Sequence, residues 1–168
     1  MSDVMGALAS TLDWVVNTRT GAVTIYGLVV SVVVGLSLVA RQECNVKLAW
    51  WQALGWMAAN LIFAAAGPGE VLWITAATNT VVVLNLVPVA IRHSCRTTWE
   101  VIRLYCLQFA VLVVAALYHD GGTPLCFAVL NAIFLMRMFV TGGASGLALA
   151  REVRNRRERV DNWSVIRI

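Results

Sequence analysis

The sequence predicts an all-α membrane protein: five transmembrane helices, an interfacial helix ahead of them and a basic tail behind. Three observations predict it. Of 168 residues, 60% are hydrophobic and 13% charged, about half the ~25% charge of a soluble domain. The apolar residues gather in blocks of about 20, the length that crosses a ~30 Å hydrocarbon layer as a helix. The basic residues are sorted: eleven of the thirteen Lys and Arg follow the first, third or fifth block.

Residues 1–20 are mildly amphipathic. Val4, Leu8, Leu12 and Val15 recur at helical spacing, Asp3 and Asp13 lie away from them, and Trp14 suits a membrane interface. A helix lying on the bilayer surface is expected here. No cleavable signal is expected, because the start has no basic residues and the first apolar block is longer than a signal core.

The first span covers residues 21–40 and stops at Arg41. The second, 48–66, opens with Trp50, Trp51 and Trp56 and ends at a Gly-Pro-Gly turn. The third, 71–91, is polar for a span, with Thr75, Thr78, Asn79, Thr80 and Asn85, and Pro88 should loosen its last turn. The fourth runs over 101–118, with Arg103 able to snorkel at its start. The fifth, 125–150, is interrupted by Arg137, and residues 151–168 form the basic tail.

Arg41, Lys47, Arg92, Arg96, Arg103 and the arginines from Arg151 to Arg167 fall on one side of this plan; Arg19 alone falls on the other. By the positive-inside rule the N-terminus is expected outside and the C-terminus inside.

Arg137 is the intramembrane charge. At mid-bilayer an arginine costs at least roughly 2.5–3.5 kcal/mol without water or a partner, and no acidic residue lies within a span. Counting ~1.5 Å per residue places Gln52, Asn85 and Gln108 at similar depth in the inner half. These four residues form the expected polar cluster, as a pocket, a subunit contact or a buried structural network, the alternative being that Arg137 snorkels to the inner interface. Asn60, Asn79 and Asn131 form a second layer nearer the outer face.

Two small-residue faces suggest close helix contacts, Gly27, Ser31 and Gly35 in the first span and Gly142, Gly146 and Ala150 in the fifth. Gly142-Gly143 offers a hinge as the alternative. In the tail, Arg151, Arg154, Arg156, Arg157, Arg159 and Trp163 suit docking to an acidic protein or anionic lipid, the alternative being a plain stop-transfer flank. Glu152, Glu158 and Asp161 dilute that charge, so no nucleic-acid partner is expected.

Glu43, Cys44, His93 and Cys95 share the basic side but match no known metal spacing. No metal, cofactor or catalytic residue is expected: GxSxG, HExxH, paired carboxylates and a P-loop are all missing.

In length, hydrophobicity, the start MSDVMGALAS and the basic end REVRNRRERV, the whole chain resembles in outline the small multi-span envelope protein of the cystoviruses, the enveloped double-stranded RNA bacteriophages. That resemblance implies a viral envelope subunit that anchors a receptor-binding spike and assists membrane fusion; it carries no site residues across. Tryptophan-rich sensory proteins also have five spans, but their proline-rich and tryptophan-rich helix motifs are missing, with only Pro68, Pro88 and Pro124 in this chain. The expected function is therefore a non-enzymatic, homo-oligomeric membrane subunit holding a larger partner. The alternative is a holin, small channel or other transport subunit in a bacterial inner membrane.

Overall fold

A computed structural model describes residues 19–66, 71–117 and 124–165. Five helices account for nearly all of them, with no strand among the described residues: α1 (Arg19–Ala40), α2 (Glu43–Ala66), α3 (Val71–His93), α4 (Arg96–Leu117) and α5 (Pro124–Val165). Such apolar segments favour helix because a helix satisfies its backbone N–H and C=O groups internally, which hydrocarbon cannot do. Neighbouring helices pack in chain order, and α5 returns to pack on α1, closing the bundle.

The side-chain pairs give the directions. Tyr26 meets Phe134, Val33 meets Gly142 and Ser37 meets Ser145, so α1 and α5 run parallel. Cys44 with Cys95 and Gly55 with Val82 make α2 and α3 antiparallel. The short turns at Arg41 and Ser94 therefore share one end of the bundle, here the basic end. Both turn residues have left-handed backbones, φ 53° and 45°. After α3, the N–H groups of Ser94 and Cys95 reach back to the carbonyls of Ile91 and Ala90 at 3.4 and 3.3 Å, supplying partners to a helix end that otherwise leaves carbonyls free.

The polarity of the bundle is inverted relative to a soluble protein. Phe139 is 82% exposed, and Leu28, Leu61, Trp73, Leu84 and Leu117 also face outward. Ser37, Gln52, Asn79, Thr98, Gln108, Arg137, Thr141 and Ser145 are buried. A contiguous apolar exterior of this kind needs an apolar solvent or a partner. Four helices, α1, α3, α4 and α5, are long and apolar enough to cross a membrane, which is compatible with an integral membrane protein. With 24 residues, α2 has the length to do the same at ~1.5 Å per residue. Trp50, Trp51, Gln52, Trp56 and Asn60 dilute its apolar character.

Every helix departs from its expected bounds: α2 begins at Glu43 rather than 48 and α4 at Arg96 rather than 101, and the other three differ as follows. Helix α1 begins at Arg19, so residues 19 and 20 belong to the first long helix; the expected surface helix otherwise lies outside the described residues. Pro88 sits inside α3, which continues to His93. Pro removes one backbone donor, a loss that packed neighbours tolerate in membrane helices. Helix α5 passes through Gly142-Gly143 without a break and carries on beyond residue 150 to Val165. The hinge is absent there, and the basic segment begins as more of the same helix.

Candidate functional site: an intramembrane polar cavity and a basic helical arm

A cavity of about 430 Å³ lies inside the bundle, and every helix contributes to its wall. The wall of α2 reads Gln52, Gly55, Trp56, Ala59, Asn60 and Phe63, one stripe at helical spacing. Tyr26 enters from α1, Thr78 and Asn79 from α3, Tyr105 and Gln108 from α4, and Asn131, Phe134 and Arg137 from α5.

Of the expected cluster, Gln52, Gln108 and Arg137 meet at this cavity. Asn85 does not line it; its amide donates to the Val81 carbonyl of its own helix at 2.8 Å. Helix geometry explains the separation. Asn79 lines the cavity, and six residues at 100° each turn Asn85 about 240° away from it. Depth along a helix does not determine which way a residue faces. The outer layer of Asn60, Asn79 and Asn131 does reach the same cavity.

Arg137 is only 4% exposed, and it is the only charged residue in the core among the described residues. Its guanidinium carbon stands 3.9 Å from the centre of the Tyr105 ring and 5.5 Å from that of Phe134. Such cation–π contact is worth about 2 kcal/mol or more when desolvated. The Nε and Nη1 donors of Arg137 have no hydrogen-bond partner, nor do Gln52 Oε1, Gln108 Oε1 or Asn79 Nδ2. Unpaired buried polar atoms usually mark function or a missing partner.

Toward the basic end the polar groups are tied together. Gln52 Nε2 donates to Thr141 Oγ1 at 2.7 Å, and that hydroxyl donates to the Arg137 carbonyl at 2.9 Å. One turn further, Ser145 donates to the Thr141 carbonyl, and its hydroxyl lies 2.8 Å from that of Ser37. Beside this stripe, Leu48, Val82, Leu86, Ala90, Val101, Ile102 and Tyr105 form a fully packed apolar cluster. The cavity thus has a dense floor on the basic side.

The expected small-residue faces are only partly contacts. A Cβ on Gly27 would meet the Trp56 ring at 3.3 Å, and one on Gly142 would meet Val33 at 3.2 Å. Ser31 is exposed, and Gly35 and Gly146 have open space around them. The tightest approach is at Gly55, where a Cβ would come within 2.4 Å of Val82. Gly55, Ser37, Thr141 and Ser145 were not among the expected site residues. The run Arg137, Thr141, Ser145 at four-residue spacing is the signal that marks a polar stripe on α5.

At the basic end, Glu43, Cys44, His93 and Cys95 do come together, in an unexpected form. Cys44 and Cys95 are joined by a disulfide, with Cα atoms 6.6 Å apart. The bond removes the thiolates a metal would need. The Thr98 hydroxyl donates toward the Cys44 sulfur at 3.1 Å. Glu43 and His93 both face Lys47, whose ammonium donates to each. The Lys47 hydrogen bond, then its charge, holds the exposed Glu43 carboxyl below its ordinary range. The pair is present at neutral pH and is lost as pH falls through that lowered value; exposure keeps its contribution small.

Beyond the bundle, Arg151, Arg154, Arg156 and Arg157 are exposed on α5, and Arg156 pairs with Glu152 at 2.7 Å. The side chains of Arg159 and Trp163 lie outside the described residues. No family model, curated protein or solved structure matches the chain.

Proposed function

We propose that the chain is a non-enzymatic integral membrane subunit that anchors a larger protein in a membrane, with five spans and its basic end inside. The observation that carries this reading is the length of α5. Its 42 residues extend about 63 Å at ~1.5 Å per residue, roughly twice a ~30 Å hydrocarbon layer. A helix that crosses the membrane and continues as a stiff, arginine-bearing arm is suited to holding something at the surface. Exposed arginines can make paired hydrogen bonds to carboxylates, so the arm's partner is an acidic face of an assembly protein. The segments that join the helices at the opposite end, residues 67–70 and 118–123, are only four and six residues long. External recognition then belongs to a docked spike, and this subunit assists fusion, as the resemblance to the cystovirus envelope protein implies. Self-association is part of the reading, since Ser31 and Gly35 leave a shallow lane on α1.

The disulfide favours an envelope over a resident inner membrane. Insertion by the positive-inside rule puts the basic end in a cytoplasm that keeps thiols reduced. In a released particle the same end faces an interior cut off from the cell's reductants, where the bond can persist.

Transport is the second reading, favoured by the cavity. Against an open pore stands its packed floor. One experiment separates the readings. The full chain is purified in mild detergent with its bound proteins, from cell membranes and from released particles, with free thiols trapped by alkylation. The anchor reading expects a bound partner that Arg151→Gln, Arg154→Gln, Arg156→Gln and Arg157→Gln together release, while insertion is unchanged. It also expects Cys44 and Cys95 reduced in cells and bonded in particles. A lone chain that passes ions in liposomes overturns the anchor; a bonded pair in fresh cell membranes overturns the orientation.

A further inference from the structure

We propose that the cavity around Arg137 binds a monovalent oxyanion carried on an apolar body. The proposal is independent of the anchor reading. It begins with charge. Arg137 is buried within the bundle, and no Asp or Glu lines the cavity to neutralise it. Tyr105 and Phe134 cover part of the guanidinium. They supply no counter-charge, and Nε and Nη1 remain as unused donors. A single anionic group at the cavity satisfies both deficits. One oxyanion matches one arginine; a dianion would leave negative charge in a low-dielectric site, where desolvation is expensive.

The rest of the wall describes the rest of the ligand. Asn79 Nδ2 offers another donor. Above Arg137 the wall is mostly apolar surface, from Trp56, Phe63, Ile74 and Leu130, with Asn60, Thr75 and Asn131 set among it. A volume of about 430 Å³ lies within the ~300–1,000 Å³ range of small-molecule sites. The packed floor closes the basic side, so the ligand enters from the opposite side or from the bilayer. Unesterified fatty carboxylates and anionic phosphodiester lipids both have this chemistry.

The test uses the intact purified chain in mild detergent. Trp56 lies in the cavity wall, so a bromine-tipped fatty carboxylate bound there quenches tryptophan fluorescence saturably. The matching bromine-tipped alcohol has the same body without the charge and gives only unsaturated partitioning. Arg137→Gln weakens saturable quenching roughly ten- to hundredfold, the range for losing a charge-assisted hydrogen bond. Ala59→Phe fills the cavity, leaves Arg137 in place and abolishes it. Native mass spectrometry identifies the source. An anionic phospholipid retained by the wild type, lost from Arg137→Gln and displaced by the carboxylate, supports the proposal with membrane lipid as ligand. Saturable carboxylate binding without a retained phospholipid supports it with a free acid. The proposal is overturned if acid and alcohol quench alike, or if a folded Arg137→Gln binds as well as the wild type. Should Arg137→Gln not fold, the acid–alcohol contrast and Ala59→Phe decide the matter.

Discussion

The two halves of the bundle solve the same problem differently. Both place polar groups inside an apolar exterior. In the basic half the groups find one another: Gln52 with Thr141, Ser145 with Thr141 and Ser37, and Thr98 with Cys44. A disulfide and a packed apolar cluster accompany them. In the other half the polar groups face a cavity, and several atoms have no partner. Without water, an unpaired polar group in a membrane interior is costly. The basic half therefore behaves as a clamp and the other half as a receptacle. Two helices supply both kinds of site: Gln52 reaches Thr141 with its Nε2 and leaves Oε1 unpaired.

The largest effect is expected where the halves meet. Gly55 lines the cavity, yet a Cβ there would stand 2.4 Å from Val82. Val82 is buried and β-branched, so it has little freedom to move aside. Gly55→Leu should push α2 from α3 and lower stability by roughly 3 kcal/mol or more, at the upper end of overpacking costs. Thermal unfolding in detergent measures it. Gly35→Leu is the control, because its Cβ meets nothing within 4 Å. Equal losses from both would mean that the clamp does not depend on this approach.

The intermediate effect tests whether the clamp works through paired groups. Ser37→Val alone leaves the Ser145 hydroxyl without its cross-helix neighbour in a fully buried site. Ser145 keeps its bond to the Thr141 carbonyl, so the expected loss is about 0.5–1.5 kcal/mol. Adding Ser145→Val should restore part of it, since no hydroxyl is then left facing an apolar side chain across the helix pair. A double-mutant cycle reads the coupling directly. Strictly additive losses would show that the hydroxyls act separately.

The difference between the halves was only partly visible in the sequence. The apolar blocks announced the helices, because hydrocarbon tolerates few other structures. Arg137 stood out because charge is rare there, and depth picked out Gln52 and Gln108 but also Asn85, which faces elsewhere. The positive-inside rule sorted the ends but could not reveal that Cys44 and Cys95 pair, since spacing does not determine connectivity. Nor could small-residue spacing choose among glycines. Gly27, Ser31 and Gly35 share a face of α1, but only Gly27 lies against a neighbour close enough to crowd a Cβ. Gly55 does have a small residue four positions on, Ala59, but both face the cavity and the tight approach is set by Val82 on another helix.

The smallest effect is expected at Asn85, and it tests whether facing or depth governs the receptacle. Asn85 lies at a depth close to that of Gln108, yet it is not in the cavity wall. Its side-chain donor already uses the Val81 carbonyl one turn back. A buried amide shared with another helix would give up about 0.6 kcal/mol on average when removed. Asn85→Leu removes no cross-helix hydrogen bond and exchanges an amide for an apolar side chain on a half-buried face. The change in stability should stay within about 0.5 kcal/mol, as for substitutions away from specific contacts. Saturable carboxylate binding should be unchanged. Thermal unfolding and fluorescence quenching on the same preparation measure both. A clear loss of binding would place Asn85 in the receptacle after all, and depth would then be a better guide to the site than helical facing.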